Sequence, residues 1–267
     1  MQPAVLRETL LIGIFISNDV PVACGILQTA QTACEKYGSF VRGWLTVIPI
    51  ITVVDPKYIQ VILNNSRLST KNFIYSFTPE FLGRGMITTN GYKSKSHRKY
   101  ISPYFKTNYL EQFVQTFDKC AQSMVEQVKG KDKVQITTFV NRCISNVLHK
   151  AIIGIPLQDQ EIINKSPFNK GPVTLLQRVL RPWLLLNSIY KFTASSRLEL
   201  GYMSALKEFS SEVLEKRKGE RRDHKNLDWC LLDAFIEISE AKPDFTEEDI
   251  VDEIETFMLA GQHSVCA

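Results

Sequence analysis

The 267 residues are 44% hydrophobic and 22% charged, a globular balance that excludes a disordered chain and allows one large core or two small ones. A net charge of +4 is too small to argue for a nucleic-acid partner without a concentrated basic patch, so none is expected. Cys24, Cys34, Cys120, Cys143, Cys230 and Cys266 contain no C-x-x-C pair, which points to free thiols in a reducing compartment and away from zinc or a disulfide scaffold.

In chain order, the run Leu10 to Ile16 falls far short of the roughly 20 residues needed to span a bilayer, and no small-residue cleavage site follows it. Neither a signal peptide nor a transmembrane anchor is expected. Residues 26–37 read as a helix ending at Gly38. Phe40 to Leu45 and Ile50 to Val54 then read as two strands around a turn containing Pro49. Asp55-Pro56 supplies an N-cap and a first-turn proline for a short helix whose buried face is Ile59, Ile62 and Leu63.

Residues 67–91, punctuated by Pro79, Gly83, Gly85 and Gly91, read as a long loop, a class of segment that is often functional. Beyond it helices are expected over 94–102, 107–128, 136–153, 171–190, 197–220, 229–240 and from 247 onward. Leu110, Phe113, Val114 and Phe117 form an apolar stripe expected to be core, and Phe139, Val140, Cys143, Val147 and Ile152 a second one. The charge run 216–225 reads as a frayed helix end and a solvated loop. The class is mostly α with a small β element.

The last helix begins with a capping box, Thr246 to Asp249, and carries Ile250, Ile254, Phe257 and Met258 on one face. No Gly, Asn or Pro stop follows, so the sequence predicts that the chain continues past Ala267. Gly261 inside a bulky helix predicts a close approach of another element.

Hydrolase, metalloprotease, P-loop and dinucleotide motifs do not occur, and His97, His149, His224 and His263 are not spaced as a metal cluster. No metal ligands are assigned. Two segments remain: Gly91 to Phe105, a basic helix start whose cations suit solvent, an anionic partner or the carboxylates of a cofactor, and the helix around Ala260-Gly261.

Ser94-x-x-x-Arg98, the following Ser102-Pro103-Tyr104-Phe105, Arg181-Pro182-Trp183, and Glu253-x-x-Thr256-Phe257-Met258-Leu259-Ala260-Gly261 together resemble the amino-terminal half of a cytochrome P450, nearest to the insect members of family four. The resemblance implies that residues 1–267 are a partial domain of that fold, stopping within the helix that crosses the distal face of the haem. It implies haem as cofactor, with Arg98 at the propionate-pairing position, His97 beside it, and Ala260 and Gly261 over the porphyrin. Ser94 stands where the family usually has Trp, removing a stacking contact and an N–H donor.

The resemblance further implies proton delivery through His263 and Ser264, which occupy the acid and hydroxyl positions, and substrate contact through Phe73, Tyr75, Phe77, Leu82 and Met86. Ala260 cannot form the haem ester that a Glu at this position forms in some relatives. The E-x-x-R motif and the cysteine loop F-x-x-G-x-R-x-C-x-G do not occur in these residues, so the chain by itself is expected to be inactive. The complete form is expected to be a monooxygenase inserting one oxygen atom from dioxygen into a lipophilic substrate. Its electrons would come from NADPH-cytochrome reductase, at the cytosolic face of the endoplasmic reticulum membrane. The alternative is a non-catalytic helical interaction or hydrophobe-binding protein whose last helix needs a partner.

Overall fold

The computed structural model describes residues 9–12, 28, 31–45, 48–65, 68, 70, 71, 75, 83–155, 160–169, 182–223 and 227–266. The chain divides into two compact units: residues 1–70 with 173–196, and residues 71–172 with 197–267.

The first unit holds a three-stranded sheet in the order β1 (Thr9–Ile12), β2 (Phe40–Leu45), β3 (Ile48–Val53). β2 and β3 are antiparallel, and β1 runs parallel to β2 with Thr9 opposite Arg42. Pro49 lies inside β3, opposite Trp44, and not in the turn. β3 is an edge strand, which tolerates a residue that cannot donate to the ladder, so the proline sits within the strand.

Helix α1 (Pro56–Asn64) starts as the sequence predicts, with Asp55 Oδ1 accepting from Lys57 N at 2.9 Å. Its apolar face is not buried: Ile62 is 39% and Leu63 79% exposed. A nine-residue helix beside a small sheet has too little of its own unit to cover that face. Later in the same unit, Pro182–Leu185 forms a 3-10 turn and Asn187–Tyr190 a single helical turn, separated by Leu186 in an extended conformation. The expected helix over 171–190 is broken there, and 171–181 lie outside the described residues.

The second unit is helical. Helix α2 (Gly91–Ile101) begins earlier than expected, α3 (Val114–Val128) follows a turn of 3-10 helix, and α4 (Ile136–Ala151) packs against α3. The long helix α5 (Ala194–Arg222) starts in the first unit and runs mainly in the second. Helices α6 (Leu231–Ala241) and α7 (Glu247–Cys266) complete it, along with a short helix at Gln160–Lys165 absent from the sequence prediction.

The core of this unit gathers Ile101, Ile163, Phe168, Leu206, Leu232, Phe235, Phe245, Ile250, Ile254, Met258 and Leu259. Packed against both α4 and α6, α7 is buried around most of its circumference. Leu110, Val114 and Phe117 are 41–56% exposed, and only Phe113 of that stripe is core. α3 lies at the surface with α4 on one side, so a stripe readable as core is half uncovered. Of the second stripe, Ile152 is buried and the others are half-buried. No described helix is long and apolar enough to cross a membrane.

Candidate functional site

Helix α7 starts on the predicted capping box: Asp249 N donates to Thr246 Oγ1 at 3.3 Å, and Asp249 Oδ2 accepts from Thr246 N at 2.8 Å. Burial alone would raise the Asp249 carboxyl, but Lys93 and the Thr246 donors more than offset it and hold it below its usual value.

One turn further, Glu253 is fully buried and joins two other segments. Its Oε1 accepts from Met86 N at 2.8 Å and lies 2.7 Å from His97 Nδ1, which donates to it in the tautomer that satisfies the carboxylate. Asp252 Oδ1 takes the neighbouring amide of Arg84 at 3.0 Å. Two carboxylates of α7 therefore hold the backbone of the 83–89 turn.

Glycine permits the approach. A Cβ at Gly85 would overlap Thr256 Oγ1 and lie 2.8 Å from the Asp252 carbonyl, and one at Gly83 would lie 2.7 Å from Glu255 Oε2. Gly83 has φ +65, which other residues rarely adopt. Lys71 secures the other end: its ammonium donates to Met86 O at 2.8 Å and to Thr89 O, and its amide to Asn90 Oδ1 at 2.8 Å. Burial lowers the Lys71 pKa, and the Glu253 carboxylate opposes the shift. Ser94 Oγ donates to Met86 O at 2.8 Å, so this side chain turns toward the 83–89 segment.

His97 is 1% exposed, held between Glu253 and the Phe245 ring at 4.7 Å, whereas Arg98 is exposed on α2 beside Lys95 and Lys99. Ala260 and Gly261 are half-buried on α7. A Cβ at Gly261 would meet Leu148 Cδ2 of α4 at 2.7 Å, which is the close approach its sequence predicts. Ser264 is exposed and its hydroxyl donates to Gly261 O at 3.4 Å; the His263 side chain lies outside the described residues.

Among the substrate-contact candidates, Met86 is fixed to α7 through its amide, and Tyr75 is exposed. Phe73, Phe77 and Leu82 lie outside the described residues. The structure thus brings Met86 and His97 onto one carboxylate and leaves Arg98 facing outward.

Sequence reasoning missed Lys71, Asp252 and Glu253 as fastening groups. The available signal was a carboxylate set within the apolar stripe Ile250, Ile254 and Phe257, where a charge is costly unless partnered. A further carboxyl, Glu255, is pushed up to about 7 by burial and then by Asp252, with Lys207 opposing. No described group of His, Cys, Asp and Glu is arranged to hold a metal ion. Cys34, Cys120, Cys143 and Cys230, the cysteines whose side chains are described, are free, and burial raises the thiol pKa of Cys120 to about 11 and of Cys230 to about 12.

Comparison with known proteins adds to this geometry. Residues 13–266 match the family described as Cytochrome P450. Probable cytochrome P450 4aa1 of Drosophila melanogaster is 39% identical over 249 residues, covering 90% of this chain and 49% of that protein. Cytochrome P450 4c21 of Blattella germanica is 27% identical over 251 residues, covering 87% and 50%. The chain spans about half the length of the curated relatives it matches. The retinoic acid bound cyanobacterial CYP120A1 superposes with a TM-score of 0.68 over 93% of this chain and 53% of its own, at 13% identity, a likeness of fold alone. With the match running over nearly the whole sequence and through the α2 and α7 motifs alike, the chain belongs to the cytochrome P450 family.

Proposed function

We propose that this chain supplies the oxygen-side wall of a haem-thiolate monooxygenase that inserts one atom of dioxygen into a lipophilic substrate, with electrons from NADPH-cytochrome reductase. The observation that carries this reading is the fastening of the 83–89 turn to α7 by Glu253 and Asp252, which joins a candidate substrate segment to the helix bearing Ala260, Gly261 and Ser264. On this reading residues 1–267 belong to one domain of the P450 fold.

The residues fit haem on its carboxylate side. Arg98 is exposed next to Lys95 and Lys99, a donor set suited to propionates, and the guanidinium fork can pair both oxygens of one carboxylate. The thiol side is not met by Cys120, Cys143 or Cys230, whose burial favours the protonated form. Haem, when bound, supplies the activation of dioxygen.

This chain's residues then act around it. Arg98, with His97 held behind it by Glu253, orients the cofactor's carboxylates. Ser264 Oγ carries a proton that is directed at Gly261 O in this state, and His263 is its proposed partner in proton delivery. Met86 and Tyr75, with Phe73, Phe77 and Leu82, form an apolar and aromatic contact set for the substrate. Association with the cytosolic face of the endoplasmic reticulum membrane is supported by large apolar side chains left exposed in the first unit, among them Leu63, Trp183 and Phe192 at 79%, 53% and 86%.

Titration of the purified chain with hemin, followed by absorbance, tests the cofactor assignment. Arg98→Gln is expected to weaken binding about tenfold or more, the worth of a charge-assisted hydrogen bond. Equal affinities would refute the role of Arg98, and no binding of hemin by the parent chain would refute the haem-wall reading.

A further inference from the structure

A cavity of about 610 Å³ lies in the second unit between α5 and the segment that follows α4. Ile153, Ile155, Ile162, Phe209 and Val213 give it an apolar wall. The volume falls in the range of small-molecule sites, roughly 300–1,000 Å³. It shares no residue with the Lys71, His97 and Glu253 cluster.

Its polar end is built around Arg217, which is only 4% exposed. Nε donates to Asp233 Oδ1 at 2.9 Å, and Nη2 donates to Asp233 Oδ2 at 2.5 Å and to the Asp228 carbonyl at 2.7 Å. Nη1 has no hydrogen-bond partner among the described residues. Gly154, at φ +74, faces this nitrogen: a Cβ there would lie 3.0 Å from Nη1 and 3.0 Å from Cys230 Sγ. Any other residue would cover the guanidinium edge, and glycine leaves it open to the cavity.

Charge selects the ligand class. The lining carries Lys216 against Glu212 and Glu220, while the Arg217 charge is balanced by Asp233, a carboxylate that Arg221 Nη1 also approaches at 3.6 Å. A carboxylate entering here would meet two acidic side chains and gain little from a neutralised guanidinium. An uncharged oxygen needs only the free N–H. We propose that the cavity is a binding site for an uncharged lipophile bearing a carbonyl-type oxygen, which accepts from Arg217 Nη1 while its hydrocarbon lies along the apolar wall.

Saturation-transfer NMR on the purified chain, with methyl octanoate and octanoate as the probes, tests this. Methyl octanoate is expected to receive saturation, and octanoate to bind about tenfold more weakly. Val213→Trp fills the cavity and is expected to abolish transfer to the ester at an unchanged melting temperature. Because that variant risks disturbing α5, Glu212→Gln combined with Glu220→Gln provides a second reading at rim positions: octanoate affinity rises toward that of the ester. No transfer to methyl octanoate, octanoate binding as well as the ester to the parent, or no change in ester-to-acid preference in the double variant would each overturn the assignment.

Discussion

Gly85→Ala probes the junction between the 83–89 turn and α7 at its tightest point. The new methyl group would overlap Thr256 Oγ1 and sit 2.8 Å from the Asp252 carbonyl, and neither a fully buried threonine nor helix backbone can retreat without moving α7. Overpacking of this kind costs about 1–3 kcal/mol. If the turn lifts instead, the 2.8 Å bond from Met86 N to Glu253 is lost, and a hydrogen bond to a charged group is worth about 1.5–3 kcal/mol. Either route predicts a loss of about 2–3 kcal/mol in urea unfolding, and the second adds faster hydrogen exchange at the Met86 amide. Thr256→Ala in the same chain removes the nearest obstacle but not the Asp252 carbonyl, so rescue is partial and the pair is non-additive by about 0.5 kcal/mol or more. A Gly85→Ala chain within about 0.5 kcal/mol of the parent would refute the close-approach account.

Glu255 gives a pH signature. Its folded pKa of about 7 lies above the ordinary value of 4.5, so the folded chain holds the extra proton between those values and stability falls as pH rises through that window. Tyr202 and Asp252 face the same carboxyl and Lys207 lies opposite, and Glu255→Gln is expected to flatten the profile and to stabilise the chain above pH 7 by on the order of 1–3 kcal/mol. A parent profile already flat across the window would dismiss the effect. Asp233→Ala strands the buried Arg217 guanidinium and removes the acceptor of Cys230 N, so denaturant melts are expected to show a loss of about 3–5 kcal/mol. Burial opposes ionisation of Asp233 and Arg217 more than compensates, holding the carboxyl below its usual value. Its contribution is therefore complete above the unfolded carboxylate pKa and lost as pH falls through the folded one; a parent-to-variant gap that widens in acid would contradict this.

Local signals were legible from sequence. The Thr246 capping box, the Asp55-Pro56 helix start and the demand for space at Gly261 are each decided within one helical turn or one contact, and each has its expected geometry. What failed depended on distant partners. Thr9–Ile12 is a strand because β2 lies beside it, and its own apolar run carries no alternation that marks one. Ile62 and Val114 have periodicity suited to burial, yet periodicity does not reveal whether anything lies opposite. Within the candidate site, Arg98 and Gly261 were visible through their motifs. Glu253 was visible only as a motif residue without a role, because its two partners, Met86 and His97, are 167 and 156 residues away along the chain.

Anchoring at positions 71 and 84 rests on different side chains at each end. Lys71 is fastened on one side to Met86, Thr89 and Asn90, and Arg84 on the other to Asp252. Replacing the Lys71 ammonium would remove its hold on the Met86 and Thr89 carbonyls while Asp252 still held the Arg84 amide, so the two attachments are separable and each can be lost alone.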